Sequence, residues 1–153
     1  MQRLISKAFL YAVNLLAFRD YTEREICEKL KKKGYNESIV KQVVKDLIQK
    51  GYIDDNRYAE QWVKNKAKSK GVGAAKIKYE LSRKGIPYDL IEEKLEESKD
   101  FDELEIAMGV AYKKIKSYKN MEKDMIKAKL GRFLERKGFS YSIINKVIDN
   151  LFQ

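Results

Sequence analysis

The hexapeptide LSRKGI at residues 81–86 has two counterparts in the chain, LKKKGY at residues 30–35 and LERKGF at residues 134–139. Each copy is a leucine, two polar residues, a lysine, a glycine and an apolar residue. The three glycines are spaced 51 and 53 residues apart: Gly34, Gly85 and Gly138. Because self-similarity at a fixed period of this length is the signature of repeat architectures, the sequence predicts a tandem-repeat protein.

Apolar residues keep the same register around all three glycines. Four and eight residues before each glycine, the chain has Leu30 and Ile26, Leu81 and Ile77, Leu134 and Leu130. Apolar residues recur five, six and ten residues after each glycine: Ile39, Val40 and Val44, Leu90, Ile91 and Leu95, Ile143, Ile144 and Ile148. These spacings predict a helix on each side of the glycine. The glycine itself ends the first helix in a left-handed turn, which has no steric penalty without a side chain.

A third helical segment precedes each of these pairs, at residues 3–18, 55–69 and 101–116. Thr22 and Glu25 form a capping-box pattern at the start of the next helix. No alternation of period two is sustained, so we predict an all-α fold of nine helices. The predicted units are three tandem three-helix repeats, residues 1–52, 53–99 and 100–153. Because a unit of about 50 residues has a small core, we expect an elongated, curved array in which the repeats lean on one another.

Length and cysteine content place limits on the class of protein. A chain of 153 residues suits one ordinary domain or several small repeats. With Cys27 as its single cysteine it has no internal disulfide, which fits a reducing cytosol. The apolar stretch in residues 1–20 is far too short to span a bilayer and is interpreted as an amphipathic helix. We therefore expect a cytoplasmic protein without membrane contact. It is expected to be monomeric, since no exposed heptad seam favours a coiled-coil dimer.

Several enzyme classes lack the residues that they need. Histidine is absent, which removes the usual general base and most zinc sites. No Gly-x-x-x-x-Gly-Lys-Ser/Thr loop is present to hold a nucleotide phosphate. Nine acidic residues lie between Asp89 and Glu105, but their spacing is that of solvated helix faces. We expect neither an enzyme nor a cofactor or metal site.

The charge of the chain is both large and unevenly distributed. The net charge is +10, which favours anionic partners, with nucleic acid as the first candidate. Residues 57–86 carry a net charge of +7, residues 88–106 a net charge of −7, and residues 111–137 a net charge of +7. A general lysine bias would not produce such blocks.

The candidate binding residues come mainly from the segment 64–79. Six lysines there flank Gly71-Val72-Gly73, which opens a helix. Such a turn lets a backbone approach a partner, and a helix start offers free N–H groups to phosphate. The alternative is an ordinary solvated loop between helices. We predict that nucleic acid or a filament contacts Arg57, Lys64, Lys66, Lys68, Lys70, Lys76, Lys78, Arg83 and Lys84.

A sequence-specific helix–turn–helix reader is a less favoured interpretation. The second helices of the three repeats carry mixed charge, for example Lys41 and Lys45 against Glu92 and Glu93. The chain has seven arginines, whereas lysine dominates and acts as a point charge on phosphates more than as a bidentate base reader. The composition therefore favours contacts with a nucleic-acid backbone over base readout.

Three motifs resemble the RecX family, bacterial modulators of the RecA recombinase. They are Tyr21-x-x-x-Glu25-x-x-x-Lys29-Leu30, Gly51-Tyr52-Ile53-Asp54-Asp55-x-Arg57-Tyr58-Ala59, and Gly71-x-Gly73-x-x-Lys76-Ile77-x-x-Glu80-Leu81-x-x-Lys84-Gly85-Ile86. The resemblance covers about residues 4–152, and the Asp-Asp-x-Arg-Tyr-Ala element is its most diagnostic part. Two departures are Ala74, where the family often has proline, and lysine in place of loop arginine.

The resemblance implies tandem three-helix repeats that lie in the groove of the RecA–single-stranded-DNA filament. It implies inhibition of strand exchange, of ATP hydrolysis and of SOS co-protease activity, and no ATP site of its own. The residues alone leave other interpretations open: a general nucleic-acid-binding helical protein without a dedicated partner, or a scaffold for an acidic protein. Asp54, Asp55 and Arg57 could equally form a helix cap and a salt bridge that joins the first two repeats.

Overall fold

The computed structural model describes residues 1–69 and 71–153, without the side chains of residues 68 and 69. Over these residues the chain is all-α and has no strand. The nine helices are α1 Gln2–Phe18, α2 Glu23–Lys33, α3 Glu37–Gln49, α4 Asp55–Ser69, α5 Ala74–Arg83, α6 Tyr88–Glu97, α7 Glu103–Ile115, α8 Lys123–Arg136 and α9 Tyr141–Leu151. The predicted triplets are confirmed, because α1–α3, α4–α6 and α7–α9 each pack as a unit.

Each triplet has its own hydrophobic core. The residues four and eight positions before the glycines are fully buried in all three: Ile26, Leu30, Ile77, Leu81, Leu130 and Leu134. Burying one such side chain stabilises a fold by roughly 1.5–3 kcal/mol, so the repeated apolar register accounts for the triplets. The cores form three separate clusters, and Ile53, beyond the end of the first predicted unit, packs in the first of them.

The three glycine turns share one geometry. Gly34, Gly85 and Gly138 have φ angles of +109°, +89° and +92°, in the left-handed region that favours glycine. In each turn the glycine N–H and the next N–H donate back to carbonyls of the preceding helix, as in a Schellman motif. The predicted capping box at Thr22 is present, and Asn36 and Ser140 cap their helices in the same way, each accepting a hydrogen bond from a backbone N–H in the first turn.

The first two repeats meet where the glycine turn after α5 docks on the start of α2. Thr22, which is fully buried, donates from Oγ1 to the carbonyl of Lys84 at 2.6 Å. Arg24 Nη2 donates to the carbonyl of Arg83. The α-carbon of Gly85 lies so close to Arg24 that a Cβ added there would be 2.6 Å from Arg24 Cβ. The glycine is therefore required for the contact between repeats as well as for the turn.

The second and third repeats meet through the same device. The turn after α8 docks on the start of α5, where Gly73 N–H donates to the Lys137 carbonyl at 2.8 Å. Ala75 N–H donates to the Gly138 carbonyl at 3.1 Å. A Cβ added at Gly138 would be 2.5 Å from Lys76 Cβ. In both junctions the N-cap residue of one repeat thus donates a hydrogen bond to a carbonyl in the glycine turn of the next repeat, that of the lysine before the glycine.

The third repeat departs from the other two at the start of its middle helix. Helices α2 and α5 each begin 11 residues before their glycine, whereas α8 begins 15 residues before Gly138. The position that corresponds to Thr22 and Gly73, twelve residues before the glycine, is Ile126, which lies inside α8. No helix in the described part of the chain is both long and apolar enough to cross a membrane.

Candidate nucleic-acid interface

The Gly-x-Gly turn predicted to approach a phosphate instead approaches the third repeat. A Cβ on Gly71 would be 2.7 Å from Val110 Cγ2, and a Cβ on Gly73 would lie closer than 3.0 Å to the backbone of Gly138 and Phe139. Glycine is needed here for a close backbone approach, as expected, but the approaching backbone belongs to the same chain.

The start of α5 is also occupied from within the protein. Ala74 N–H donates to Glu103 Oε2 at 2.7 Å, and Ala75 N–H donates to the Gly138 carbonyl. The expectation of free N–H groups at this helix start is therefore wrong. The positive end of the helix dipole is used by a carboxylate of α7 and by the docked turn, which takes the place that a phosphate would need.

Two of the predicted cations lie over the ring of a tryptophan of the second repeat, beside its junction with the first. Lys66 Nζ and Lys84 Nζ lie 5.0 and 5.2 Å from the Trp62 ring centroid. Lys66 also pairs with Glu80 at 3.0 Å, and Lys84 with Glu25 at 3.3 Å. These lysine side chains are only 20% and 25% exposed, and a carboxylate of the same chain compensates the charge of each.

Lys78 is likewise paired within the chain. Its Nζ lies 2.5 Å from Glu92 Oε1 on α6. Hydrogen bonding with Lys78 lowers the pKa of Glu92, and the same contact raises the pKa of Lys78. The negative block of the sequence thus neutralises part of the positive block that precedes it.

The Asp-Asp-x-Arg element forms the helix cap that was the alternative to a binding role, but hydrogen bonds take the place of the expected salt bridge. Asp54 Oδ1 accepts from Arg57 N–H at the start of α4, and Asp55 Oδ1 accepts from Glu23 N–H of α2. Burial raises the pKa of Asp55, and the bond from Glu23 opposes that rise. The arginine donates to the Gly51 carbonyl at 3.4 Å, so a cap and a hydrogen bond join the segments.

Four of the remaining predicted cations face solvent. Arg57, Lys64, Lys76 and Arg83 are exposed. Arg83 Nη1 donates to the hydroxyl of Tyr79 at 2.8 Å, and that tyrosine is 59% exposed. An exposed aromatic ring beside a guanidinium is the pairing on which single-stranded bases stack. The side chain of Lys68 and the whole of Lys70 lie outside the described residues.

A second cationic surface lies on the third repeat, and the candidate list from the sequence omitted it. Exposed cations follow one face of α8 at helical spacing: Lys129, Arg132 and Arg136. Among the residues that the structure describes, no carboxylate lies within ion-pair distance of these three side chains. The net charge of +7 over residues 111–137 indicates this surface, but the Gly-x-Gly turn favoured a binding site on the second repeat instead.

The acidic residues between Asp89 and Glu105 serve the protein itself in part. Glu92 pairs with Lys78, Asp102 caps α7, and Glu103 binds the start of α5. No cluster of three potential metal ligands occurs in the described ranges 1–69 and 71–153.

Known proteins match the chain along its whole repeat array. Family models described as the first, second and third three-helix domain of RecX match residues 8–52, 54–95 and 102–148. A regulatory protein RecX from Chlorobium limicola is 32% identical over 97% of this chain and 91% of its own length. One from Clostridium botulinum is 39% identical over 83% of this chain, which spans only 60% of that relative. The crystal structure of RecX from Lactobacillus salivarius has a TM-score of 0.91 at 30% identity, covering 99% of this chain and 98% of the other.

Three-helix cores joined by glycine turns define a helical-repeat protein, and this one leaves cationic faces exposed. Each repeat also matches its counterpart in a single family, in the same order. The chain belongs to the RecX family. The curated relatives are named regulatory proteins, and the family gives this chain a regulatory role.

Proposed function

We propose that this protein binds a RecA filament on single-stranded DNA and inhibits its recombinase, ATPase and SOS co-protease activities, acting as a cytoplasmic monomer. One observation carries the proposal: all three repeats match the RecX family over nearly the whole chain. The charge supports it, because a net charge of +10 with unpaired cations on two repeats suits a long anionic partner.

The proposed DNA contacts are the candidate cations that remain exposed: Arg57, Lys64, Lys76 and Arg83. The α8 face adds Lys129, Arg132 and Arg136 to the same role. Lys66, Lys78 and Lys84 are weaker candidates, because each already lies within 3.3 Å of a carboxylate oxygen. Lys68 and Lys70 stay in the proposal on the basis of their sequence position alone.

Titration of RecA with this protein distinguishes a filament regulator from a general DNA-binding protein. Single-stranded-DNA-dependent ATP hydrolysis is measured against protein concentration, with binding to the same DNA measured in parallel. We expect inhibition at concentrations at which binding to free DNA is negligible, because the filament offers protein contacts that bare DNA lacks. Inhibition that follows DNA occupancy would favour the general nucleic-acid binder, and the absence of inhibition would reject the proposal.

The salt dependence of DNA binding tests the exposed cations. Each phosphate contact on a single strand contributes about −0.7 to the slope of log K against log salt. Replacing Arg57, Lys64, Lys76 and Arg83 with glutamine should therefore make that slope shallower by roughly 3 if all four bind phosphates. The control variant has the same charge change at Arg3, Lys7, Lys45 and Lys146, which are exposed elsewhere. Equal slopes for the two variants would remove the second repeat from the interface.

A further inference from the structure

The glycine turn of the first repeat has the same form as the other two but has no counterpart docked on it. Gly34 N–H donates to the Lys31 carbonyl, and Tyr35 N–H donates to the Leu30 carbonyl, as in the second and third turns. A Cβ added at Gly34 would have no atom within 4 Å, whereas one at Gly85 or Gly138 would collide with the preceding repeat. The first repeat therefore presents an unoccupied docking turn.

The two occupied turns show what kind of group such a turn binds. In both cases the occupant is the N-terminal turn of an α-helix. Its N-cap residue, Thr22 or Gly73, donates to the carbonyl of the lysine before the glycine. A residue of its first turn, Arg24 or Lys76, lies on the α-carbon of the glycine. The equivalent carbonyls of the first turn, at Lys32, Lys33 and Gly34, receive no donor from another repeat in the ranges described.

The charge around the first turn narrows the choice of occupant. Lys31, Lys32 and Lys33 are all exposed at the negative end of the α2 dipole. In the second turn the lysine at the same position, Lys84, pairs with Glu25 in the first turn of the docked helix. An occupant with acidic residues in its first helical turn would repeat that pairing up to three times.

We propose that the first glycine turn binds the N-terminal turn of an α-helix, with acidic residues in that turn, on the protein subunits of the recombinase filament. This inference rests on the proposed function and adds the contact by which the first repeat recognises protein. Hydrogen-bond donors from the helix start would satisfy the carbonyls of the turn, and its carboxylates would meet the lysines.

Single-stranded DNA fits this turn less well than a helix does. Its backbone has no N–H group, and deoxyribose lacks the 2′-hydroxyl that could donate to a carbonyl. A second copy of the chain fits poorly too if it docks through the helix starts used at the two junctions or through their counterpart in α8. The starts of α2 and α5 are already occupied, and α8 extends one helical turn past the docking position.

A side chain added at Gly34 tests whether a helix start approaches this glycine. Gly34→Asn keeps a residue that tolerates left-handed φ, and its Cβ points into open space in the free protein. The same Cβ would collide with a helix docked as in the other two turns. The matched control is Gly51→Asn, since Gly51 has φ +80° and also has open space around it. Binding is measured by co-sedimentation of each variant with preformed RecA filaments on single-stranded DNA, and folding by thermal melting.

We expect Gly34→Asn to bind filaments about tenfold more weakly or worse, because overpacking at a close contact carries that penalty. Gly51→Asn should bind like the wild type, and the two variants should bind free single-stranded DNA equally well. Filament binding by Gly34→Asn at wild-type strength would overturn the inference, as would an equal loss of affinity for free DNA.

A second variant covers the case in which Gly34→Asn does not fold. Replacing Lys32 and Lys33 with glutamate leaves the turn intact and should weaken filament binding by repelling acidic residues. Unchanged filament binding by that variant would overturn the inference. Failure of the wild-type protein to co-sediment at all is a different result, because it rejects the proposed function and this contact together.

Discussion

Replacing Gly73 with alanine is expected to lower the free energy of unfolding by roughly 3–5 kcal/mol, through overpacking and lost hydrogen bonds at the junction of the second and third repeats. The new Cβ would lie closer than 3.0 Å to the backbone of Gly138 and Phe139, and backbone atoms have no rotamer by which to move away. This steric overlap is relieved only if the two repeats separate. Separation breaks the hydrogen bonds from Gly73 and Ala75 to the docked turn.

The control for this variant is the same chemical change at Gly109. That glycine lies inside α7, exposed and with no atom within 4 Å of an added Cβ. Alanine there should stabilise the protein by about 0.5–1 kcal/mol, because glycine is a poor residue for a helix interior. Urea unfolding followed by far-UV circular dichroism measures both variants. Equal effects of the two substitutions would contradict the assigned role of Gly73.

Replacing Thr22 with valine should destabilise the protein by about 2–4 kcal/mol, because it removes a helix cap and leaves the part-buried Lys84 carbonyl without its donor. Valine keeps the shape of the side chain, so packing changes little. What is lost is the bond from Oγ1 to the Lys84 carbonyl at 2.6 Å and the cap on Glu25 N–H at 3.2 Å.

Ser140→Ala is the control, since Ser140 caps α9 by one bond and is exposed. That change should cost only about 1 kcal/mol. Trp62 lies beside this first junction, and its fluorescence reports on the second repeat separately from the whole-chain helix signal. We expect the two signals to unfold together in the wild type and to separate in Thr22→Val. Coincident transitions at wild-type stability would contradict the role of this hydroxyl.

The helices could be predicted from the sequence because their causes are local. Apolar spacing around each glycine, the capping box at Thr22 and the left-handed turns depend on residues within a few positions of one another, and all were confirmed. The junctions could not be predicted, because they join residues such as Thr22 and Lys84, which are 62 positions apart. A glycine that permits close backbone approach gives no sign of what approaches it, so Gly73 was assigned to a ligand instead of the third repeat.

The candidate site shows the same division between local and distant causes. Lysine-rich composition predicted a cationic surface, but not which lysines pair within the fold. Lys66 with Glu80 and Lys78 with Glu92 are both 14 residues apart, across a helix–turn–helix. That shared separation is a signal that could have marked them as paired. The exposed cationic face of α8 could have been predicted from the helical spacing of its three cations, which is visible in the sequence.

The early start of α8 removes from the third repeat the docking position that Thr22 and Gly73 provide in the first two. Tandem duplication of a further unit at the C-terminal end would place its glycine turn against the interior of a helix, where neither an N-cap donor nor a small residue is available. Lengthening the protein by that route would require deletion of about one helical turn from α8 first. The start of one helix thus decides whether this repeat can receive a neighbour through a glycine turn.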